Sequence, residues 1–487
     1  MTVRRSLAWM AAAQASIFAL QFGASVIVAR ILTPYEMGVF AVAMAIVGTL
    51  GILQAFGMQS IIVRERDLTQ DLIVTVFSVN AMISLTISGA IVALAFMGGA
   101  FLGDPGVRQV LLILALGPPI EILNFLPAAS LERNGRFKVI SIVNTLRGLT
   151  IAVGTVILAV LGYKYMSIAY AQIIGQVLAV AIFCWVGREH LQLRLGFKQV
   201  RQTAKFGLGM LAVAGVTDLS RRLSEIALAK LLGLPALGLY NRASSLNGLL
   251  WDRIHMVVGR ILFVDFAAHK REGLSLRERY LRALEIITAL LWPAFAGLAV
   301  LAGPLILAIY GPQWVTAATP LALLAIASLI QVSISMTWEI FVASGELRTQ
   351  MRIEFIRASV ALALFAIGCA SSLSAAAAAR VGDALFAVFL YRPHLQRMTD
   401  TTFGDFWPIY FRSGQLTVLA ILPALALMVA YKGSPGAPIG MALGAVALGV
   451  TLWALGLILQ KHALVVEVRN VLGRLRSRSS RRAPRAE

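Results

Sequence analysis

Two stretches of this sequence, 200 positions apart, are written almost alike. Residues 29–40 read ARILTPYEMGVF, and residues 229–240 read AKLLGLPALGLY. Each stretch closes a long apolar segment with a cation, Arg30 in the first and Lys230 in the second, and then opens another apolar segment. The pattern indicates that the chain repeats a unit of structure.

A second pair of stretches supports the same duplication. NGRFK at 134–138 faces SGELR at 344–348, now at an offset of 210, and the same offset aligns Arg147 with Arg357. One insertion of ten residues accounts for the change of offset. The two pairs of similar stretches keep their order along the chain, which favours a duplicated domain over chance similarity between turns.

The composition places this chain in a bilayer. Of its 487 residues, 59% are apolar and only 14% are charged, and the mean hydropathy is +0.81. A soluble protein of this length carries about 25% charged residues, because polar side chains must cover part of its surface. A helix needs about 20 mostly apolar residues to cross a membrane, so the sequence predicts an all-α integral membrane protein with many crossings.

The apolar runs predict about 14 transmembrane helices. They lie at 9–31, 38–62, 72–98, 109–131, 139–161, 166–186, 206–231, 238–264, 283–309, 318–343, 352–372, 374–391, 413–431 and 437–460. Both pairs of similar stretches shift by six helices, which predicts two six-helix bundles in a parallel repeat, an arrangement found in transporters. The expected domains are an N-terminal lobe at 1–195, a C-terminal lobe at 196–400, an additional helix pair at 401–460 and a basic cytoplasmic tail at 461–487.

The net charge of +20 reflects topology and not nucleic-acid binding. Most of the 43 Lys and Arg fall in alternate loops and at the two ends of the chain. Such a bias marks the cytoplasmic side, so both termini are expected in the cytoplasm. The two Cys and five His are scattered, which predicts neither a metal site nor a cofactor.

Charged side chains inside the predicted spans are the candidate functional residues. Asp218, Arg221, Arg222 and Glu225 share one stripe of span seven, and Arg253 belongs to a basic stripe of span eight. Ionisable groups in a bilayer usually face a partner or a wet cavity. The stripes predict a cationic interior that binds anions, since arginine binds phosphate oxygens through two bonds. The alternative is that Asp218–Arg222 and Arg221–Glu225 only neutralise each other.

Four further charges complete the candidate set. Arg30 and Lys230 are expected at the outer mouth of a cavity, while Arg147 either lines that cavity or extends to the headgroups. Glu121 follows Pro118–Pro119 in a span that the prolines should break. It is a candidate for coupling transport to an ion gradient, together with the acids Asp218 and Glu225.

Several segments resemble a known family. ARILTPYEMGVFAVA and LGILQAFGMQSIIVRERD look like the opening of the polysaccharide-transporter family, the O-antigen and exopolysaccharide repeat-unit flippases. LGLPALGLYNRASSL, YLRALEIITALLWPAFAGL and IYGPQWVTAATPLALLAI match its second half. That family belongs to the multidrug/oligosaccharidyl-lipid/polysaccharide flippase superfamily.

The resemblance implies a flippase of the bacterial inner membrane. It would move undecaprenyl-diphosphate-linked oligosaccharide to the periplasmic leaflet by alternating access, for lipopolysaccharide or exopolysaccharide biosynthesis. In related flippases cavity arginines engage the diphosphate. The resemblance implies the role of cationic cavity residues for Arg221, Arg222 and Arg253, and for Arg30 and Arg147. Besides the lipid-linked substrate and the bilayer, a polysaccharide polymerase with its chain-length machinery is the candidate partner.

Three alternatives share parts of this pattern. A flippase for the peptidoglycan-precursor lipid would follow the same fold and charge logic. A multidrug or small-solute exporter of the same superfamily should have about twelve helices and an acidic cavity. A membrane enzyme such as a polymerase or ligase would need a sizeable outer loop, and the predicted outer loops are short, so no enzymatic activity is expected.

Overall fold

Helices account for the regular structure wherever the residues of this chain are described. A computed structural model describes residues 3–65, 67–102, 104–190, 194–272 and 274–465. Within these ranges there is no β-strand, and ten helical segments are long and apolar enough to cross a membrane. The predicted all-α, multi-pass membrane protein is confirmed.

In the first of two units, Met1–Asn241, the described residues form nine complete α-helices. They are α1 (Val3–Ile31), α2 (Pro34–Gly51), α3 (Met58–Arg64), α4 (Gln70–Leu102), α5 (Pro105–Leu114), α6 (Gly117–Arg133), α7 (Phe137–Val160), α8 (Met166–Val186) and α9 (Val200–Leu232). α7 packs against α1 and α8, and α9 packs against α2. Where α3, α4 and α6 meet, the core contains Met58, Phe77 and Phe125.

The second unit, Arg242–Glu487, begins inside the long helix α10. Its helices are α10 (Leu234–Arg271, which begins in the first unit), α11 (Arg277–Val300), α12 (Ala302–Tyr310), α13 (Ala318–Val332), α14 (Thr337–Ala343), α15 (Leu347–Cys369), α16 (Leu373–Thr399), α17 (Phe403–Ala430) and α18 (Ile439–Leu459). α16 packs against α13 and α15, and α17 packs against α11 and α18.

The predicted spans fall on helices of the structure, whereas the predicted lobe boundaries differ from the division into two units. The ten candidate segments coincide with ten of the fourteen predicted spans, and the other four predicted spans fall on α1, α9, α10 and α15. The lobe boundaries at 195/196 and 400/401 describe the repeat, and they stay a prediction beside the division at Asn241 and Arg242. Of the predicted tail, residues 466–487 lie outside the described residues.

The first quoted stretch contains its own helix start. Thr33 caps α2: its hydroxyl accepts a hydrogen bond from the Glu36 amide at 3.3 Å, and the Glu36 carboxylate accepts one from the Thr33 amide at 2.8 Å. Pro34 occupies the first helical position, where no amide hydrogen is needed. This capping box fixes where α1 ends and α2 begins.

The two quoted stretches contact each other, and the contact is reciprocal. A Cβ placed on Gly38 would stand 1.9 Å from the carbonyl oxygen of Leu234, and one placed on Gly238 would stand 2.0 Å from the carbonyl oxygen of Pro34. Pro34 and Leu234 are the first residues of α2 and α10. Only glycine permits two backbones to approach this closely, which explains why both copies carry it.

Two helices are broken at points that bear on the candidate sites. α5 and α6 are separated at Ala115–Leu116, just before Pro118–Pro119. The freed carbonyls have partners, because Ser88 donates to the Ala115 oxygen at 2.7 Å and Gln176 donates to the Gly117 oxygen at 2.9 Å. The break that the prolines predict is therefore present, one turn before Glu121.

The second break separates α13 from α14 over residues 333–336. The carbonyl oxygen of Ser333 accepts hydrogen bonds from the Tyr410 hydroxyl at 2.9 Å and from Arg392 at 3.5 Å. Met336 has a left-handed backbone with φ 64°, which is unusual for a residue other than glycine. Side chains of α16 and α17 therefore stabilise the interrupted backbone between α13 and α14.

Candidate functional site

Four charged side chains gather on one face of α9, and we call them the α9 group. The guanidinium of Arg221 lies 3.0 Å from Asp218 and 3.2 Å from Glu225, while that of Arg222 lies 3.9 Å from Glu225. Residues three and four positions apart are neighbours on a helix, so their spacing in the sequence produces this chain of ion pairs. The Arg221–Glu225 pair was expected, but Asp218 pairs with Arg221 and not with Arg222.

The two arginines of the α9 group differ in their surroundings. The side chain of Arg221 is 50% exposed. Arg222 is largely covered by α2, where it donates to the carbonyl oxygen of Met44 at 3.4 Å and lies over Gly48. A Cβ at Gly48 would stand 2.5 Å from the central guanidinium carbon of Arg222. Gly48 therefore provides the space that Arg222 occupies.

The charges of the α9 group cancel as they stand. Two arginines face two carboxylates, and Glu225, only 11% exposed, is shared by both arginines. An anion that approaches Arg221 would meet a guanidinium already paired with Asp218, an exposed acid at 60%. Exposed ion pairs contribute about 0–1 kcal/mol, so an anion of higher charge can displace the carboxylate.

The predicted cationic excess depends on residues beyond the α9 group. Arg253 lies in α10, but its side chain lies outside the described residues. Arg242, further up the same helix, lies 5.7 Å from the ring centroid of Tyr310 and 6.0 Å from that of Trp314. A cation over aromatic rings is stabilised by the negative faces of the rings, and these contacts belong to the second unit.

Arg147 and Glu121 form a separate site in the first unit. Their closest nitrogen and oxygen are 3.9 Å apart, across α7 and α6, and each side chain is about one third exposed. The coupling candidate Glu121 is therefore paired with Arg147, itself a candidate cavity residue. The sequence did not predict this pair.

Arg30 and Lys230 occupy equivalent positions at the ends of helices. Each lies in the last turn of its helix, α1 or α9, and each is exposed. A cation at this position interacts favourably with the carboxyl end of the helix. Helix stability alone therefore accounts for a cation at both positions, and a ligand is not required to explain them.

The second unit contains a buried charged cluster. Arg357 of α15 lies 2.6 Å from Glu354 and 3.2 Å from Asp383 of α16, and the Tyr391 hydroxyl donates to Glu354 at 2.6 Å. We call these four residues the α15 cluster. Arg357 is 16% exposed and Asp383 is 6% exposed. Glu354 and Arg357 are three residues apart in the sequence, a signal that could have identified the cluster.

Similarity to known families points to one biological context. Residues 27–319 match the model of a family described as "Polysaccharide biosynthesis protein". The succinoglycan biosynthesis transport protein ExoT of Rhizobium meliloti (strain 1021) is 26% identical over 327 residues, which cover 67% of this chain and 66% of that protein. The lipopolysaccharide biosynthesis protein WzxC of Escherichia coli (strain K12) is 22% identical over 325 residues, 66% of each chain. The chain thus spans just under two thirds of both relatives.

A solved structure shares the fold across nearly the whole chain. The lipid II flippase MurJ, in an inward closed conformation, superposes with a TM-score of 0.74 at 15% sequence identity. The superposition covers 92% of this chain and 98% of that one. At this identity the likeness concerns the fold alone, and that fold is one used by a membrane transporter.

Proposed function

This chain belongs to the polysaccharide biosynthesis protein family, and on that premise we propose that it is a flippase for undecaprenyl-diphosphate-linked oligosaccharide repeat units. The observation that carries the proposal is the α9 group, which places a half-exposed arginine in an apolar helical protein. The two relatives are named for succinoglycan and lipopolysaccharide biosynthesis. The activity is transport, and no catalytic step is part of it.

The diphosphate is the group that the α9 group would bind. A guanidinium presents paired donors that match phosphate oxygens, and the bond strengthens where water is excluded. Arg221 would exchange Asp218 for phosphate, while Arg222 would stay fixed beside Gly48. Arg30, Arg147, Lys230 and Arg253 are the further cations that we propose for substrate binding. The lipid tails need no binding site, since they can remain in the bilayer during transfer.

We further propose the finer architecture that the repeat predicts. It has fourteen transmembrane helices, in two parallel six-helix bundles with an additional pair at 401–460, and both termini face the cytoplasm from the bacterial inner membrane. The reciprocal contact of Gly38 with Leu234 and of Gly238 with Pro34 supports the equivalence of the two halves. A polymerase and its chain-length machinery are the proposed partners downstream.

Alternating access would open this contact during the cycle. We propose that α2 and α10 separate and close again as the cavity changes sides, with Glu121, Asp218 and Glu225 as the acids available for ion coupling. A disulfide between cysteines introduced beside Gly38 and Gly238 should stop transport, and reduction should restore it. Full transport by the cross-linked protein would contradict alternating access at this contact.

A strain deleted for this chain tests the proposed function. We expect lipid-linked repeat units to accumulate and surface polysaccharide to disappear, and the wild-type gene to restore both. Arg221→Ala/Arg222→Ala should fail to restore them at normal protein levels. The matched control is Lys198→Ala/Arg397→Ala, which removes two exposed, ion-paired cations and should restore both.

The other outcomes select the alternatives. Accumulation of the peptidoglycan-precursor lipid with normal surface polysaccharide would assign the chain to that precursor. Unchanged lipids together with new sensitivity to cationic drugs would make it an exporter. Either result would contradict the proposed substrate.

A further inference from the structure

A cavity in the second unit lies beside the break between α13 and α14. Its volume is about 220 Å³, several times the roughly 30 Å³ that one water molecule takes up in the liquid. It is lined by side chains from α10, α14, α15 and α16, among them Trp251, Trp338, Glu339, Gln350, Glu354 and Tyr391. It is therefore larger than a bound proton or a single ion requires.

Two of the residues that line this cavity each have a buried polar atom without a hydrogen-bond partner. Glu339 is 6% exposed, and its Oε2 atom is buried without a donor; the hydroxyl of Ser335 is likewise buried without a partner. A buried carboxylate oxygen without a donor is costly. A ligand in this cavity that supplies a hydrogen-bond donor to Glu339 would relieve that cost.

The aromatic residues of the cavity narrow the class of ligand. Trp338 is 55% exposed although it follows directly on the helix break, and Trp251 and Tyr391 line the same space. Aromatic side chains offer a large apolar face together with polar edges. A pocket that combines such faces with a few carboxylates and amides fits a ligand with one apolar face and several hydroxyl groups.

The charge of the cavity argues against the diphosphate as its occupant. Glu339 and Glu354 both line it, while Arg357, the one arginine among the lining residues whose side chains are described, is already held by Glu354 and Asp383. A neutral donor of hydrogen bonds suits this environment better than an anion. The ligand is therefore a different part of a substrate from the part that the α9 group would bind.

We propose that this cavity binds a sugar ring of the lipid-linked oligosaccharide, with its C–H face on the aromatic side chains and its hydroxyls donating to Glu339. The proposal rests on the proposed function and assigns a glycan subsite within it. Recognition of hydroxyl groups by buried acceptors discriminates strongly, because a ligand that lacks them leaves the acceptors unpaired. The cavity would thus select the glycan.

Binding by the full-length protein in lipid nanodiscs tests this subsite. The probes are undecaprenyl diphosphate and the same lipid carrying one sugar, titrated against the change in tryptophan fluorescence. We expect the wild type to bind the glycosylated lipid at least about tenfold more tightly. Glu339→Ala and Trp338→Ala should each remove most of that difference and leave the affinity for undecaprenyl diphosphate unchanged.

Controls separate this proposal from its alternatives. Trp407→Ala, which removes an exposed tryptophan of α17 outside the cavity, should bind both probes as the wild type does. Trp338→Ala guards against misfolding, because the side chain that it removes is more than half exposed. Glu339→Gln tests whether Glu339 serves ion coupling instead. If this variant binds the glycosylated lipid as the wild type does, but its transport no longer depends on a proton or sodium gradient, the sugar subsite would be overturned.

The two proposals fail in different ways. Equal affinity of the wild type for both probes, or equal losses of both in the Glu339 and Trp338 variants, would overturn the sugar subsite and leave the flippase standing. Absence of binding to either lipid would overturn the proposed function itself. A selective loss of affinity for the glycosylated lipid in the Glu339 and Trp338 variants would support both the flippase and the sugar subsite.

Discussion

The α9 group and the α15 cluster use the same residue types to different ends. Both combine arginines with carboxylates inside an apolar helical protein. In the α9 group the pairs run along a single helix, and Arg221 and Asp218 are half exposed or more. In the α15 cluster Arg357 joins two helices, and its partners are largely buried.

The difference shows which arginines are available to a ligand. A guanidinium held by buried acids cannot be released without leaving those acids uncompensated. An exposed pair contributes about 0–1 kcal/mol and exchanges readily. Accessibility and partner geometry, more than the presence of arginine, therefore distinguish a binding group from a structural one. Substitutions at four positions, Arg357, Tyr391, Gly48 and Arg147, probe this distinction, in order of expected effect.

Removing the centre of the α15 cluster should have the largest effect on stability. Arg357→Ala leaves Glu354 and Asp383 buried without their cation, which should lower the free energy of unfolding by about 3–5 kcal/mol. Denaturation of the purified protein in detergent measures it. Arg221→Ala is the matched control, with an expected loss of about 1 kcal/mol or less.

The triple variant Glu354→Gln/Arg357→Met/Asp383→Asn should recover much of that loss, because it removes the charges together. If Arg357→Ala lowers the free energy of unfolding no more than Arg221→Ala does, the distinction between the α15 cluster and the α9 group is wrong.

Tyr391→Phe should have the next largest effect. It removes the hydroxyl that donates to Glu354 at 2.6 Å, and hydrogen bonds to charged groups contribute about 1.5–3 kcal/mol. The same unfolding measurement applies, with Tyr163→Phe, which alters a half-exposed tyrosine, expected within about 0.5 kcal/mol of the wild type. Equal losses in the two variants would mean that the bond to Glu354 adds nothing.

Gly48→Ala disturbs the α9 group without removing a charge. The new methyl group would meet the guanidinium of Arg222 at 2.5 Å and displace it. We expect lipid transport to fall about tenfold, equivalent to about 1.4 kcal/mol of lost binding, while the unfolding midpoint changes little. Gly51→Ala, where a Cβ would meet nothing within 4 Å, should transport normally. Normal transport by Gly48→Ala would show that the position of Arg222 is immaterial.

The smallest effect is expected at the repeat equivalent of Arg357. Arg147 lies 3.9 Å from Glu121, and both side chains are about one third exposed, so Arg147→Gln should change the free energy of unfolding by about 1 kcal/mol or less. A loss comparable to that of Arg357→Ala would mean that exposure does not separate the two positions.

The sequence was sufficient for the helices and for the family. Long apolar runs with few charges have one stable arrangement in a bilayer, since a helix pairs every backbone group internally, and Pro118–Pro119 predicted the break before Glu121. The segments that resembled the polysaccharide-transporter family were sound guides, because the family model matches residues 27–319.

The sequence did not predict the contacts between side chains of different helices. Helical spacing predicted the Arg221–Glu225 pair because both residues lie on one helix. It gave no sign that Arg147 meets Glu121, that Tyr391 bonds to Glu354, or that Gly48 makes room for Arg222. These depend on how separate helices pack, and a repeat of 3.6 residues carries no information about the neighbouring helix.

The most direct test of the central claim is the affinity of the purified protein for undecaprenyl diphosphate in nanodiscs. We predict that Arg221→Ala/Arg222→Ala weakens binding about a hundredfold or more, since two charge-assisted contacts of about 1.5–3 kcal/mol each are lost. Lys198→Ala/Arg397→Ala should bind as the wild type does. Equal affinity of the wild type and the α9 double variant would contradict the claim that the α9 group holds the diphosphate.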